Sequence, residues 1–252
     1  MLIDLHTHTC RYSACSNFTP QSMVRGAIAA GLDGMVITEH DHIWGKDEIE
    51  ELRAEFPEIK IFRGIEVSCG LDHFLVYGVL EEGLFYRDMP VRKLLDIVDE
   101  RGGCVVLAHA YRYYDGVPDT LFETPTIDAI EFRSSNIRRY TQEPLEQLAQ
   151  RLKVPKVAGS DGHAETTIGM FATRFPQDIA NEQELVAAIK AGEMEIHVNE
   201  ERVGWANAKI EASAHWVKGL LAGGADPEEI RRRHKVSKTL VYALTNHLDV
   251  RV

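Results

Sequence analysis

His6 and His8 stand one residue apart in the opening run MLIDLHTH. Similar residues recur at the ends of later apolar runs: His40 in VITEHDH, Glu66 in GIEVS, His109 in VVLAHAYR, Glu131 in DAIEF, and Asp161 with His163 in KVAGSDGH. His73 opens another such run, HFLVYG. Neutral imidazole is the commonest metal ligand in proteins, but a single H-x-H pair is more often two partly buried histidines. Five of the chain's 11 histidines at the ends of apolar runs are a different matter. Imidazoles and carboxylates with few thiolates suit Zn, Mn or Fe. A carboxylate such as Glu66 can bridge two cations, which a neutral imidazole cannot do. Residue types and spacing thus point to a polynuclear metal site and a metal-centred hydrolase. In an extended run, residues two apart share a face. Asp4 therefore lies on the side of His6 and His8, either supporting the ligands from behind or as a solvated strand-end carboxylate.

Such a set needs elements that bring run ends together. LIDLHTH reads as a strand and TPQSMVRGAIAAGL as a helix, with Thr19 as its cap, Pro20 at its first position and Gly31 as its stop. Strands follow in GMVITEH, IKIFRGIEVS, HFLVYGVL, CVVLAH, DAIEF, KVAGSD and MEIHV. Helices are predicted near 46–56, in PVRKLLDIVDERGG, and near 141–153 and 182–191. Strand–helix alternation of this kind predicts an α/β protein with a parallel sheet closed into a barrel, its reactive residues at the C-terminal strand ends. Residues 1–201 form this unit. Residues 202–252 carry nine Lys/Arg against five Asp/Glu, a net +4 in a chain of net charge −11, and read as a helical extension.

The chain has 252 residues, 44% hydrophobic and 27% charged, an ordinary composition for one barrel-sized domain with an appendage. No run approaches the roughly 18 apolar residues of a membrane span, and the N-terminus lacks a basic leader, so a cytoplasmic protein with no membrane partner is expected. Cys10, Cys15, Cys69 and Cys104 have neither disulfide-framework nor zinc-finger spacing. The acidic balance argues against a nucleic-acid coat, and an anionic substrate would need metal cations or a local arginine.

The ordered set D-L-H-x-H, I-T-x-H-D, G-x-E, H-x-L, A-H and S-D-x-H, spread over residues 1–200, resembles the polymerase and histidinol phosphatase (PHP) family of metal-dependent phosphoesterases. The resemblance implies a distorted (β/α)7 barrel with two or three divalent ions at the strand ends. It also implies eight ligands: His6, His8, His40, Glu66, His73, His109, Asp161 and His163. Among them His109, Asp161 and His163 are the catalytic candidates. The resemblance adds phosphate-ester hydrolysis to the chemistry read from the residues. His73 is the awkward member, because it begins an apolar run, and the family pattern selects it as a ligand rather than a core histidine. His42 reads as a loop histidine. Two positions depart from the common pattern. Glu39 replaces an aspartate at a non-ligand position. Cys15, in YSACS, stands where many relatives have an aspartate or histidine as a ninth ligand, and is either a soft ligand or a small residue packed under the loop. Arg112 in AHAYR is a candidate for the substrate phosphate, or else a solvated loop arginine, with Arg133 and Arg138 behind it.

The expected partner is a small phosphorylated metabolite or a nucleotide, with nucleic acid entering only as a nucleotide substrate. Two other readings compete. An amidohydrolase-like barrel acting on C–N bonds also begins with H-x-H, but usually carries a bridging carboxylated lysine, and no lysine sits at a comparable strand end here. A ligand sensor with a DNA-binding tail is the other, because DPEEIRRRHKVSKTLVYALTNHL has helix-turn-helix rhythm. An accessory helical cap or a homo-oligomer contact accounts for the same residues.

Overall fold

The computed structural model describes residues 1–113, 116–164 and 166–252. Nine strands form one sheet: β1 (Leu2–Thr7), β2 (Gly34–Ile37), β3 (Lys60–Cys69), β4 (Asp72–Tyr77), β5 (Cys104–Ala108), β6 (Ala129–Arg133), β7 (Lys156–Ala158), β8 (Phe171–Arg174) and β9 (Glu195–Val198). Their spatial order is β7-β6-β5-β4-β3-β2-β1-β8-β9. The outer helices are α1 (Pro20–Ala29), α2 (Lys46–Glu55), α3 (Val91–Glu100), α4 (Gln142–Leu152) and α5 (Glu182–Ala191). Thr19 caps α1 by accepting the Ser22 N–H, and Gly31 leaves that helix at φ +75, a conformation that glycine adopts without a Cβ clash.

The sheet is a nearly closed, distorted barrel. Its seam between β7 and β8 is bridged by side chains. The Thr173 hydroxyl donates to Ala158 O and accepts the Ala158 N–H, both at 2.9 Å, and Ser160 Oγ donates to Phe171 O at 3.1 Å. At the same seam a Cβ on Gly159 would lie 2.6 Å from His6 Cβ. Only glycine permits that approach.

Two strands depart from the expected parallel arrangement. β1–β3 and β5–β7 are parallel sets, but β4 runs antiparallel to both β3 and β5. Only Gly70 and Leu71 separate β3 from β4, and Gly70 has φ +71. A connection so short makes a hairpin and cannot cross over to a parallel strand. The second departure, β8, is absent from the sequence reading. Its four residues are too few for a periodic signal, and it pairs antiparallel with β1 and β9.

Apolar side chains from the strands, including Ile3, Leu5, Val36, Phe62, Leu75 and Val106, fill the barrel and meet α5 through Leu185 and Ile189. The C-terminal helices α6 (Glu200–Ala222), α7 (Pro227–His234) and α8 (Lys238–Thr245) build a separate small core around Val217, Ile230, Val241 and Leu244, against which Tyr140 also packs. The chain end returns to the barrel: Val252 and Val203 bury Ala158, Met170 and Phe171. Ile210, Leu220 and Leu221 join the small core, whereas Trp216 stays 46% exposed, edge-on to His234. Among the described residues, no helix is long and apolar enough to cross a membrane.

Candidate metal centre

The parallel strands aim their C-terminal ends at one rim, and the β3–β4 hairpin brings His73 there from the other direction. His73 pairs with Ser68 on β3 and with Ala108 on β5, next to His109. An apolar run that begins with a ligand thus has a plain cause: the strand is reversed.

Glu66 occupies the middle of the cluster and has no solvent exposure. Its Oε2 lies 2.8 Å from His40 Nδ1, 3.1 Å from His8 Nε2 and 3.3 Å from His6 Nε2. Its Oε1 lies 2.8 Å from His73 Nδ1 and 3.0 Å from His109 Nε2. Asp161, also buried, is 3.5 Å from His8 Nε2, 3.6 Å from His6 Nε2 and 3.2 Å from His163 Nδ1. The structure therefore brings all eight expected positions together. Four groups have ligand atoms close enough to share an ion: His6, His8 and Asp161; His6, Glu66 and His109; His40, Glu66 and His73; and His8, His40 and His163.

The donors fit cations better than they fit one another. Glu66 Oε2, Asp161 Oδ1 and His40 Nδ1 are buried without a hydrogen-bond partner, although buried polar atoms are nearly always satisfied. His6 Nε2 and His8 Nε2 face each other at 3.0 Å, an approach that needs a proton or a cation between two lone pairs.

The electrostatics agree. Burial opposes ionisation of Glu66 and Asp161, but the His6 charge and the other imidazoles close by hold both carboxyls well below the usual range. Burial likewise opposes charge on His40. The closeness of Cys15 and Glu66 nonetheless carries it up to about 10. His163 reaches about 10 against the same penalty, through Asp161 and Cys15. His109 goes the other way: burial takes it down to about 4, with the Arg112 charge adding to the shift. Without cations, protons on the imidazoles balance the two carboxylates.

Cys15 is exposed rather than packed beneath the loop. Burial of its thiol works against ionisation, yet hydrogen bonds from His163 and His40 bring it down to about 6. The thiol thus interacts with His40 and His163, although it belongs to none of the four ligand groups.

Supporting residues were only partly legible. Glu131 Oε1 is 2.9 Å from His6 Nδ1, and its Oε2 accepts the His109 N–H at 2.9 Å, so it orients one ligand ring and one ligand backbone. Asp4 is buried, and supports backbone instead of rings. It accepts the N–H groups of Ser160, His6 and Gly169, and burial raises its pKa to about 6. Glu39 receives the Thr9 N–H and the Trp44 Nε1–H, which holds the loop after β1. Ser13, which no sequence signal marked, places its hydroxyl 3.3 Å from His8 Nδ1 and accepts the His40 N–H. His109 and Asp161 have φ of 25 and 48, positive values uncommon for residues with a Cβ and typical of strained functional sites. His42 stacks on Tyr12 at 3.7 Å between ring centroids, and belongs to none of the four ligand groups.

Arg112 lies over the Tyr113 ring, 4.9 Å from its centroid, and forms no ion pair with a carboxylate among the described residues. Burial lowers the pKa of Arg138, and the nearby Arg112 lowers it further. Two guanidinium groups thus face each other's field near the rim.

Comparison with known proteins bears on the same features. An uncharacterised protein of Methanocaldococcus jannaschii is 26% identical over 125 residues, covering 44% of this chain and 68% of that protein. A two-domain protein of Bacteroides vulgatus containing a predicted PHP-like metal-dependent phosphoesterase superposes with a TM-score of 0.63 at 16% identity, over 79% of this chain and 64% of that one. A lesion-specific endonuclease of Pyrococcus furiosus gives 0.55 at 17% identity, over 77% and 57%. An amidohydrolase of Chromobacterium violaceum, solved with bound sulfate and no metal, gives 0.51 at 17% identity, over 66% and 89%. At such identities these likenesses establish the fold, and their varied descriptions leave the reaction to the site. The PHP-associated family model, PHP_C, matches residues 144–194, the stretch that carries Asp161 and His163. That match and the ligand order from His6 to His163 on one barrel rim both support a PHP family protein.

Proposed function

We propose that this protein is a metal-dependent phosphoesterase that hydrolyses a small phosphorylated metabolite or a nucleotide. The observation that carries the reading is the convergence of five imidazoles on one fully buried carboxylate, Glu66, whose Oε2 lacks a hydrogen-bond partner. His6, His8, Glu66 and Asp161 would hold one divalent ion, and Glu66, His73 and His109 a second. His40, His163 and Cys15 would hold a third, with Zn, Mn or Fe suited to the set. Ions held there would supply an activated water and would neutralise charge on the phosphoryl oxygens.

The chain's own residues do the rest. Arg112, which pairs with no carboxylate among the described residues, binds a substrate phosphate oxygen. Glu131 keeps His6 in one ring orientation, and the Asp4 contacts hold the β1 and β7 ends at fixed separation. In the reaction, a water oxygen bonds to phosphorus, the ester P–O bond breaks, and the departing oxygen takes up a proton. The amidohydrolase reading is less well supported. Glu66 is available to bridge two ions, and no lysine pairs with Glu66 or Asp161 among the described residues.

The test is elemental analysis of the purified protein, followed by chelation and a panel of phosphoesters with Zn, Mn or Fe restored singly. Chelation should abolish turnover and at least one metal should restore it. Equal turnover by the metal-free protein would overturn the proposal.

A further inference from the structure

Beside the metal centre lies a pocket of about 320 Å³ that neither the ligand set nor the barrel accounts for. Its walls come from three distant stretches of chain. Tyr111, Arg112 and Tyr113 follow β5, Tyr140 precedes α4, and Lys238 and Tyr242 belong to α8. Four tyrosines and two cations are an unusual lining in a protein of net charge −11. The pocket adjoins the ions' site directly, since the Tyr113 ring is 6.3 Å from the His73 ring, centroid to centroid.

Each feature points to one kind of occupant. Tyrosine rings offer flat, rigid faces to a planar group at low entropic cost, and base–aromatic stacking tolerates any nucleobase. The volume is of the size that takes a small ligand. Arg112 already shows the stacked arrangement on Tyr113, and together with Lys238 it supplies positive charge to a ligand carrying phosphate. A sugar phosphate would use the cations and leave the rings idle.

We propose that this pocket holds the base of a nucleoside phosphate while its phosphoester reaches the metal centre, so that α8 of the C-terminal extension selects the substrate. The proposal rests on the phosphoesterase reading and makes the extension a specificity element. It also gives the face of α8 bearing Lys238 and Tyr242 a use other than DNA contact. That face lines the pocket together with Arg112 and Tyr113.

The test uses the full-length protein with its metals restored. Adenosine 5′-monophosphate and ribose 5-phosphate are compared as substrates, and adenosine, which has no ester to cleave, is followed by saturation-transfer NMR. Tyr242 is 45% exposed, so Tyr242→Ala leaves the core intact. It should raise KM for the nucleotide about tenfold, the effect of roughly 1.4 kcal/mol of lost stacking, and leave ribose 5-phosphate unchanged. A second variant, Thr239→Trp, fills the pocket and should abolish the adenosine signal. Equal effects of Tyr242→Ala on both substrates, or no adenosine signal from the parent protein, would overturn the pocket's assignment. Adenosine binding without turnover of any phosphoester would sink the phosphoesterase reading and leave the pocket standing.

Discussion

Replacing Glu66 by glutamine keeps the size of the side chain and removes its charge. In the folded protein its oxygens lie 2.8 to 3.3 Å from nitrogens of five imidazoles, away from solvent. Unit charges about 3 Å apart at an effective dielectric near 20 interact by roughly 5 kcal/mol. Removing one member of a buried charged pair costs about 3–5 kcal/mol in practice, because the partner is left uncompensated. At about 1.4 kcal/mol per factor of ten, divalent-ion affinity in Glu66→Gln should fall by about two to four orders of magnitude. The assay is competition between the protein and a chelator of known affinity, with metal content read by elemental analysis and the fold by circular dichroism. The expected variant is folded and holds neither of the two ions that share Glu66 at parent affinity. If it keeps both ions at parent affinity, Glu66 bridges nothing and the assignment of the centre is wrong.

Three further outcomes follow from the same geometry. Cys15→Asp should raise Mn occupancy of the third position, since an oxygen ligand suits Mn where sulfur suits Zn; the unmodified protein should hold two Mn firmly, and three tightly bound equivalents would contradict this. Metal loading at pH 7 should release about two protons, from His40 and His163, whose pKa values of about 10 keep them charged in the metal-free protein, plus one from His6, which is raised as well. Affinity should accordingly weaken about a hundredfold or more for each pH unit lowered below about 9, and calorimetry in buffers of different ionisation enthalpy counts the protons. Truncation after residue 201 removes Val203 and Val252 from Ala158, Met170 and Phe171, so the shortened chain should bind more apolar dye and be less soluble; unchanged behaviour on both counts would mark the extension as a loosely tethered module.

Much of this protein is written locally. The alternation of apolar runs with capped helices needs only neighbouring residues, which is why Thr19, Pro20 and Gly31 bound α1 as their chemistry requires. Ligand types are local too: imidazoles and carboxylates at the ends of apolar runs announce a metal centre before any strand is paired. What depends on distant residues was not legible in this way. The direction of β4 follows from a two-residue hairpin, and it alone explains why His73 begins its strand and still meets Glu66. Closure at β7–β8 relies on Thr173, Ser160 and the bare Cα of Gly159 against His6, contacts between residues far apart in the chain. Tertiary packing also decides the two positions that the sequence left open. Cys15 stands by His40 and His163 because its loop folds over the rim, and α8 walls a tyrosine pocket beside Arg112 because the extension packs around Tyr140. A periodic pattern reports which face of an element is apolar, whereas the meeting of two elements depends on a free energy summed over both.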